Sequence, residues 1–329
     1  MTSPTTFGDI SPRTAAKAIY PLLKRGQEKM IIERFGQNYV LPTHSTLTAK
    51  WRRYEALTLA TTALTEGVTP SGQKPTYTDV TVTLLQHGDY MVLTDVVQDT
   101  HEDPILQEFG DMLMQQWTET IETLRWGILK AGTNVGYANG TARTDVNTPI
   151  TLAGQQKATE ALLLQRAQMI SEQLSSNPNF RTEPIEAAFI AITHTSVEND
   201  IRRMQGFIPV KQYGPGVKFP NEIGSVENVR YIRSVLFTAF ADAGGAKGAM
   251  KSTTGTSADV YPVLYLAKDA YGVIQLKGTS AMSLIVKNVG SGGTTDPLNQ
   301  RGTIGWKTMQ NSVILNDYWM YRLEVAATA

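Results

Sequence analysis

The feature that most constrains the fold is a long, polar, strand-like stretch between residues 54 and 97. Residues 54–64 (YEALTLATTAL) and 76–86 (TYTDVTVTLLQ) alternate with a period of two, which predicts two strands, and a third is predicted at 90–97. The Gly- and Pro-rich segment 66–75 between the first two predicts a flexible tip. Because an isolated two-stranded hairpin is only marginally stable in water, we expect this hairpin to lie on another surface. The apolar face of its second strand supplies three candidate interface residues, Val80, Val82 and Leu84.

The composition indicates a globular protein and excludes several kinds of chemistry. The chain has 329 residues, enough for about two domains, and 41% of them are apolar. Its 30 basic and 30 acidic residues cancel, which argues against a polycation that coats nucleic acid. With no cysteine, disulfides, thiolate metal sites and cysteine nucleophiles are excluded. There is no pattern of a secretion signal or a membrane span, so we expect a cytoplasmic product.

Charge is segregated along the chain. Residues 1–53 carry nine Lys and Arg against three Asp and Glu, a net charge of +6, whereas residues 101–122 carry six acids and no Lys or Arg, a net charge of −6. We hypothesise that the basic segment, through Arg52 and Arg53, docks on the acidic segment of a neighbouring subunit. The alternative is that both are solvated faces that never meet. The candidate residues at the loop and on the acidic segment are Glu66, Lys74, Glu102, Asp103, Glu108 and Asp111.

A long helix follows the hairpin. Apolar residues recur at steps of three and four between Pro104 and Lys130, which predicts a helix of about 40 Å at ~1.5 Å per residue. Asp103 suits the N-cap position and Pro104 the first helical position. Residues 1–48, in contrast, are broken by prolines and hold too few apolar side chains to form a core, so they predict an arm that packs on another surface.

The remainder predicts a mixed α+β domain. Helices are predicted at about 151–175 and after His194, where Thr195 and Glu198 suit a capping box. A buried strand is predicted at 185–193. Short strands and Gly-rich loops follow, and the chain closes on an aromatic, strand-like segment.

No motif in the sequence indicates catalysis, and no catalytic, cofactor-binding or metal residue is predicted. The four histidines lack the spacing of a helical zinc pair. His194 lies at a strand–helix junction, where catalytic residues do occur, but no nucleophile or base is adjacent in sequence. The segment 245–252 (GAKGAMKS) departs from a phosphate loop because Met250 replaces the required glycine.

The order of these parts resembles the major capsid proteins of tailed phages with the Hong Kong 97-type fold, and most closely the subfamily typified by coliphage N-four. The stretches that carry the resemblance follow the family's order over about residues 50–325. They are Leu64–Lys74, His87–Asp95, Ala191–Arg202, Asn221–Ser234, Asp296–Lys307 and Ile314–Glu324.

The resemblance implies a division of the chain into four parts. Residues 1–48 would be an N-terminal arm and 49–97 an extended β-hairpin loop. Residues 98–132 and 300–329 would form a peripheral domain containing the spine helix, and 133–299 an axial domain.

The resemblance also implies a structural function without cofactors. Subunits would assemble into hexamers and pentamers and close an icosahedral head around double-stranded DNA, in contact with portal, scaffolding and decoration proteins, but with no membrane. Assembly would take place in the host cytoplasm and the product would reside in the virion. The alternatives are the shell protein of a non-viral compartment with the same fold, or a soluble enzyme that uses the His194 region.

Overall fold

The computed structural model describes residues 30–64, 66–67, 69, 71–100, 105–170, 187–213, 219–277, 283–289, 297–298 and 300–329. Within these ranges, the α-helices are α1 (Ile32–Phe35), α2 (Asp95–Thr100), α3 (Ile105–Leu129), α4 (Leu152–Leu164) and α5 (Glu198–Arg202). The strands are β1 (Gln37–Leu41), β2 (Thr48–Tyr54), β3 (Tyr77–Thr83), β4 (Leu85–Thr94), β5 (Val135–Tyr137), β6 (Phe189–His194), β7 (Phe207–Pro209), β8 (Glu222–Val226), β9 (Val229–Ser234), β10 (Val260–Leu266), β11 (Tyr271–Leu276), β12 (Ser283–Lys287), β13 (Arg301–Ile314) and β14 (Met320–Ala326). The predicted α+β class is confirmed.

A mixed seven-stranded sheet, ordered β5-β14-β10-β6-β9-β8-β7, forms the largest core. All seven residues of its interior strand β10 are buried, as expected of a strand covered on both faces. Helices α4 and α5 pack on one face, through residues such as Leu162 and Ile201. The C-terminal end of α3 and the arm residues before β1 pack on the other, through Trp126 and Ile32.

A second sheet is built on the long strand β13. Strand β4 pairs with one side of β13 over residues 301–310. On the other side β12 pairs with 303–307 and β11 with 310–314, and β1 extends the sheet beyond β11. Its apolar face packs on α3, with Ile304 and Trp306 against Phe109 and Leu113. The spine helix therefore has one end on each sheet.

The two sheets divide the chain differently from the predicted domain ranges. Strand β14, expected in the peripheral part with the rest of 300–329, is the neighbour of β10 in the seven-stranded sheet. Strands β11 and β12, expected in the axial range 133–299, belong instead to the sheet around β13. The order of strands along the sequence does not show to which sheet β11, β12 and β14 belong, because membership of a sheet depends on which strands pair.

The predicted strand at 54–64 is wrong, and the register of the hairpin explains why. Strands β2 and β3 pair from Thr48↔Thr83 to Tyr54↔Tyr77. Continuing that register would place Pro75 opposite residue 56 and Gly72 opposite residue 59. Proline has no N–H to donate and glycine weakens a strand, so the ladder ends at a last bond from Glu55 N–H to the Thr76 carbonyl.

Three other predicted elements need correction. Helix α4 ends at Leu164 rather than near residue 175, since the backbone turns left-handed at Arg166 (φ 55°). The strand expected at 90–97 is β4, which gives way to α2 at Asp95. At the third helix, the Nδ1 atom of His194 accepts the N–H of Ser196, so His194 caps the turn instead of a Thr195–Glu198 box. The predicted cap of α3 at Asp103 and Pro104 lies outside the described residues.

Candidate assembly surfaces

The base of the hairpin, which comprises β2, β3 and residue 84, is buried within its own subunit. Val82 and Leu84 are 7% and 4% exposed and pack with Leu41, Ala49 and Ile274. They are therefore unavailable to a neighbour, and their prediction as interface residues is corrected. Val80 is half-buried. The expectation that this hairpin lacks any core of its own fails at its base, because β1 and β11 provide one.

The charged side chains of the base already have partners within the hairpin. Arg52 contacts both carboxylate oxygens of Asp79, at 2.7 and 2.9 Å, and lies over the ring of Tyr77. Lys50 is 2.9 Å from the same carboxylate. Hydrogen bonds from Arg52 and Lys50 hold the pKa of Asp79 well below its usual range. Asp79 thus balances one of the two positive charges of Arg52 and Lys50 before any neighbour approaches.

Arg53 is similarly engaged at the start of the tip. Its Nη2 lies 3.0 Å from the Glu55 carboxylate, which also accepts the hydroxyl of Thr78. These bonds lower the pKa of Glu55, with the Thr78 hydroxyl as the largest cause. Both guanidinium groups keep an outer face in solvent, with side-chain exposures of 44% for Arg52 and 37% for Arg53.

The tip, residues 55–76, is exposed and irregular, in contrast to the paired and partly buried base. Its described residues form no strand and are exposed, among them Glu66 and Lys74. Three leucines that would be expected in a core are 60%, 74% and 77% exposed, namely Leu57, Leu59 and Leu64. The carboxamide of Gln73 accepts the N–H of Thr58 and donates to its carbonyl, so a side chain replaces the backbone ladder here.

Helix α3, which is the predicted spine helix, binds the described end of the arm through two of its side chains. The Oε1 atom of the fully buried Glu122 accepts the N–H groups of Ile31 and Ile32, at 2.9 and 3.0 Å. Burial raises the pKa of Glu122. One turn later, Arg125 pairs with Glu33 of the arm at 3.0 Å. At this ion pair the helix is basic and the arm acidic, the reverse of the predicted polarity.

The other acidic candidates are distributed along the N-terminal part of the helix. Glu108 is half-buried and Asp111 is exposed. Glu102 and Asp103 lie outside the described residues. Of the two described candidates, neither Glu108 nor Asp111 pairs with Arg52 or Arg53 of the same chain, whose partners are Asp79 and Glu55. For these two, a contact between subunits is the remaining form of the charge hypothesis.

A further exposed apolar surface lies on β12, at the border of the sheet. In the part of the chain that the structure describes, β12 pairs only with β13. Leu284, Ile285 and Val286 are 43%, 42% and 48% exposed, and Lys287 is exposed beside them. Leu284 and Val286 are the register partners of Trp306 and Ile304, so they share the face that packs on α3. The strand extends beyond the cover that the helix provides.

The features with possible enzymatic meaning have structural roles in the fold. Besides capping the turn, His194 packs on the ring of Tyr261 at 5.4 Å, and burial lowers its pKa. The 245–252 loop is held by bridges from Ala246 to Ser257 and from Met250 to Thr328. In the described ranges, no helix is long and apolar enough to cross a bilayer, and no group of His, Asp and Glu is arranged to hold a metal ion.

Comparison with known proteins identifies the family. The family model of the phage capsid protein matches residues 76–322, which is three-quarters of the chain. The chain belongs to the phage capsid protein family. It is accordingly a structural protein of a phage head.

The fold of this capsid protein is also that of solved phage capsids. It is similar to the capsid of Ralstonia phage GP4, with a TM-score of 0.71 and 11% identity, over 100% of this chain and 99% of that one. The head of Helicobacter pylori bacteriophage KHP40 gives 0.65 and 11%, over 98% of both chains. The capsid of cyanophage P-SCSP1u gives 0.62 and 12%, over 94% and 91%. No curated protein matches.

Two features of this capsid protein, the buried Glu122 and the exposed strand β12, were missed by reasoning from sequence. Glu122 was counted among the solvated acids, and no local pattern indicates that it accepts the backbone of a segment 90 residues away. The run SLIVK of β12 has the composition of a strand, but three adjacent apolar residues usually indicate burial on both faces. Its exposure follows from sheet order, which the run itself does not encode.

Proposed function

We propose that this chain is the major capsid subunit, and that it assembles into hexamers and pentamers that close an icosahedral head around double-stranded DNA. Family membership supports the role in the head, and the similarity in fold to solved capsids supports the type of subunit. The observation that carries the assembly proposal is the exposed tip. A segment with three exposed leucines is a poor surface for an isolated protein, and it becomes a reasonable one when a neighbouring subunit covers it.

The proposed contact is a loop that crosses a subunit boundary. The buried base fixes the direction of the hairpin, and the tip delivers backbone and leucine contacts to the neighbour, as in strand addition. Each contact is modest, but a closed shell repeats it many times, so the collective stability is large. Of the predicted interface residues, we retain those with exposed charge: Arg52, Arg53, Glu66, Lys74 and Asp111.

Finer assignments rest on the sequence resemblance. We propose that the chain belongs to the N-four-like capsid subfamily, and that it assembles in the host cytoplasm with portal, scaffolding and decoration proteins as partners. With 30 basic and 30 acidic residues, the subunit is expected to hold packaged DNA without sequence specificity.

Trimming the tip tests the assembly proposal. A variant that lacks residues 67–75 should retain the secondary structure and unfolding transition of the wild-type subunit, because the deleted residues contribute nothing to the described core clusters. By negative-stain electron microscopy it should form few or no closed particles.

A matched variant keeps the length and replaces residues 67–75 with Gly and Ser. It separates the need for a long loop from the need for this sequence. Closed particles from the deletion variant, at the yield of the wild type, would contradict the proposal.

A further inference from the structure

The segment at residues 55–59 has the sequence pattern of a strand but, in the part of the chain that the structure describes, pairs with no strand beyond the bond from Glu55 N–H to the Thr76 carbonyl. Leu57 and Leu59 alternate with the smaller Ala56 and Thr58, as in a half-buried strand, and Glu55 precedes them. All five residues are exposed. The side chain of Gln73, on the opposite limb of the hairpin, forms hydrogen bonds with both the N–H and the C=O of Thr58. Glu55 donates its N–H to the Thr76 carbonyl and the Leu59 carbonyl accepts the N–H of Thr61. Among the described residues, the backbone groups of Leu57 between them form no hydrogen bond.

Strand β12 has complementary properties. Among the described residues it is a border strand with one paired edge, and Leu284, Ile285 and Val286 are exposed. An exposed apolar border strand is a template for pairing with another strand. Proteins usually blunt such edges, and a functional one is commonly completed by an added strand.

We propose that residues 55–59 of one subunit add to the free edge of β12 of a second copy as an antiparallel strand. This inference rests on the proposed assembly function and names the surface that receives the tip. It also gives a partner strand, in another chain, to a strand-like sequence whose ladder within the hairpin is ended by Pro75 and Gly72.

Charge selects the direction and the register. With Leu57 opposite Ile285 in an antiparallel pair, Glu55 lies opposite Lys287, so that opposite charges and apolar groups both match across the strands. A parallel pair with the same apolar match would place Leu59 opposite Lys287 and leave both charges unmatched. In the antiparallel pair, Thr58 also lies opposite Leu284 and Ala56 opposite Val286, so that a smaller side chain faces a larger one at both positions.

The absence of cysteine from the chain permits a direct test in assembled particles. Residues directly opposite in antiparallel strands have Cβ atoms about 4.5–5.5 Å apart, within reach of a disulfide after small adjustments. The variant Leu57→Cys with Ile285→Cys, assembled under reducing conditions and then oxidised, should give dimers and longer ladders on a non-reducing gel. Ala56→Cys with Ile285→Cys is the matched control on the opposite face, and it should give several-fold less.

Other outcomes overturn the inference. Particles without cross-links, or with equal cross-linking in the control, would place the tip elsewhere while leaving the assembly function intact. Dimers from Ile285→Cys alone would show that β12 pairs with a second β12. A wild-type chain that forms no particles under any assembly condition would instead contradict the proposed function itself.

A charge exchange keeps the inference testable if the cysteine variants fail to assemble. Glu55→Lys and Lys287→Glu should each lower the assembly yield, and the two together should restore it. Glu55→Lys also loses its bonds to Arg53 and Thr78, so part of its effect is internal to the hairpin. Glu66→Lys with Lys287→Glu is the control that should not restore assembly, and additive losses in the Glu55 pair would overturn the proposed register.

Discussion

The base and the tip of one hairpin differ in almost every physical respect. The base has a complete ladder, a leucine that is 4% exposed and an ion-paired surface. The tip has a single carboxamide bridge and leucines that are 60–77% exposed. The contrast teaches that one continuous sequence pattern can serve two functions: the base contributes to the stability of the subunit, whereas we assign the tip to contacts between subunits.

Leucine truncations should separate these functions with the largest effect. Leu84→Ala removes a buried side chain from the base and should lower the free energy of unfolding by about 2–5 kcal/mol. Leu59→Ala in the tip should change it by no more than about 0.5 kcal/mol and should instead reduce particle yield. Urea unfolding of the unassembled subunit, together with electron microscopy of the assembled product, measures both.

The contrast between base and tip would be contradicted if Leu84→Ala and Leu59→Ala had the same effects on stability and particle yield. A loss of stability in Leu59→Ala equal to that of Leu84→Ala would mean that the tip packs on its own subunit in solution. Normal particle yield from Leu59→Ala would remove this residue from the interface.

The arm provides a second anchored region, held by a buried carboxylate. Glu122→Ala leaves the N–H groups of Ile31 and Ile32 buried without an acceptor, which costs about 1–3 kcal/mol for each group. Glu122→Gln keeps an oxygen for both N–H groups and removes the ionisation. Urea unfolding should therefore show a clear loss for the Ala variant and a much smaller one for the Gln variant.

The pH dependence of stability, compared between the wild type and Glu122→Gln, tests the raised pKa of Glu122. Burial raises the pKa of Glu122, although Arg125 opposes the shift, and Glu33 and the Tyr271 hydroxyl also face this site. The folded subunit therefore binds this proton more tightly than the unfolded chain does. The contribution to stability is fully present below the unfolded value, about 4.5, and is lost as pH rises through the raised value. Relative to Glu122→Gln, the wild type should lose stability over that interval, and parallel curves would contradict this assignment.

Sequence reasoning succeeded where the pattern is local and sustained. The spine helix, predicted over Pro104–Lys130, is found at Ile105–Leu129, because a long apolar stripe has few alternatives to a helix. It failed where the outcome depends on a distant partner. The alternation at 54–64 lost its ladder to Pro75 and Gly72 of the opposite limb, and the burial of Val82 and Leu84 depends on β1 and β11.

The assembly surfaces were only partly predictable for the same reason. Sequence placed Glu66 and Lys74 on an exposed loop, and the structure leaves them exposed. In the described ranges β12 pairs on one edge only, and this depends on the order of strands around β13, which no local run of residues specifies. Charge counting also overlooked that Asp79 pairs with both Arg52 and Lys50 within the hairpin and balances one of their two charges.

The smallest expected effect concerns that balance at the boundary between base and tip. Asp79→Asn removes the carboxylate that Arg52 and Lys50 share, so the outer end of the β2–β3 ladder should open more often. Amide hydrogen exchange should accelerate at residues 52–54 and 77–79, more in low salt than in high salt, because exposed ion pairs are screened. Asp111→Asn, on the exposed face of α3, should leave these amides unchanged.

The pKa of Asp79 is lowered in the folded hairpin, so its contribution is present above the ordinary value of 3.8 and is lost only as pH falls towards the lower folded value. The difference between wild type and variant should therefore be constant through neutral pH, and a difference that disappeared near pH 6 would mean that a group other than Asp79 holds the ladder closed.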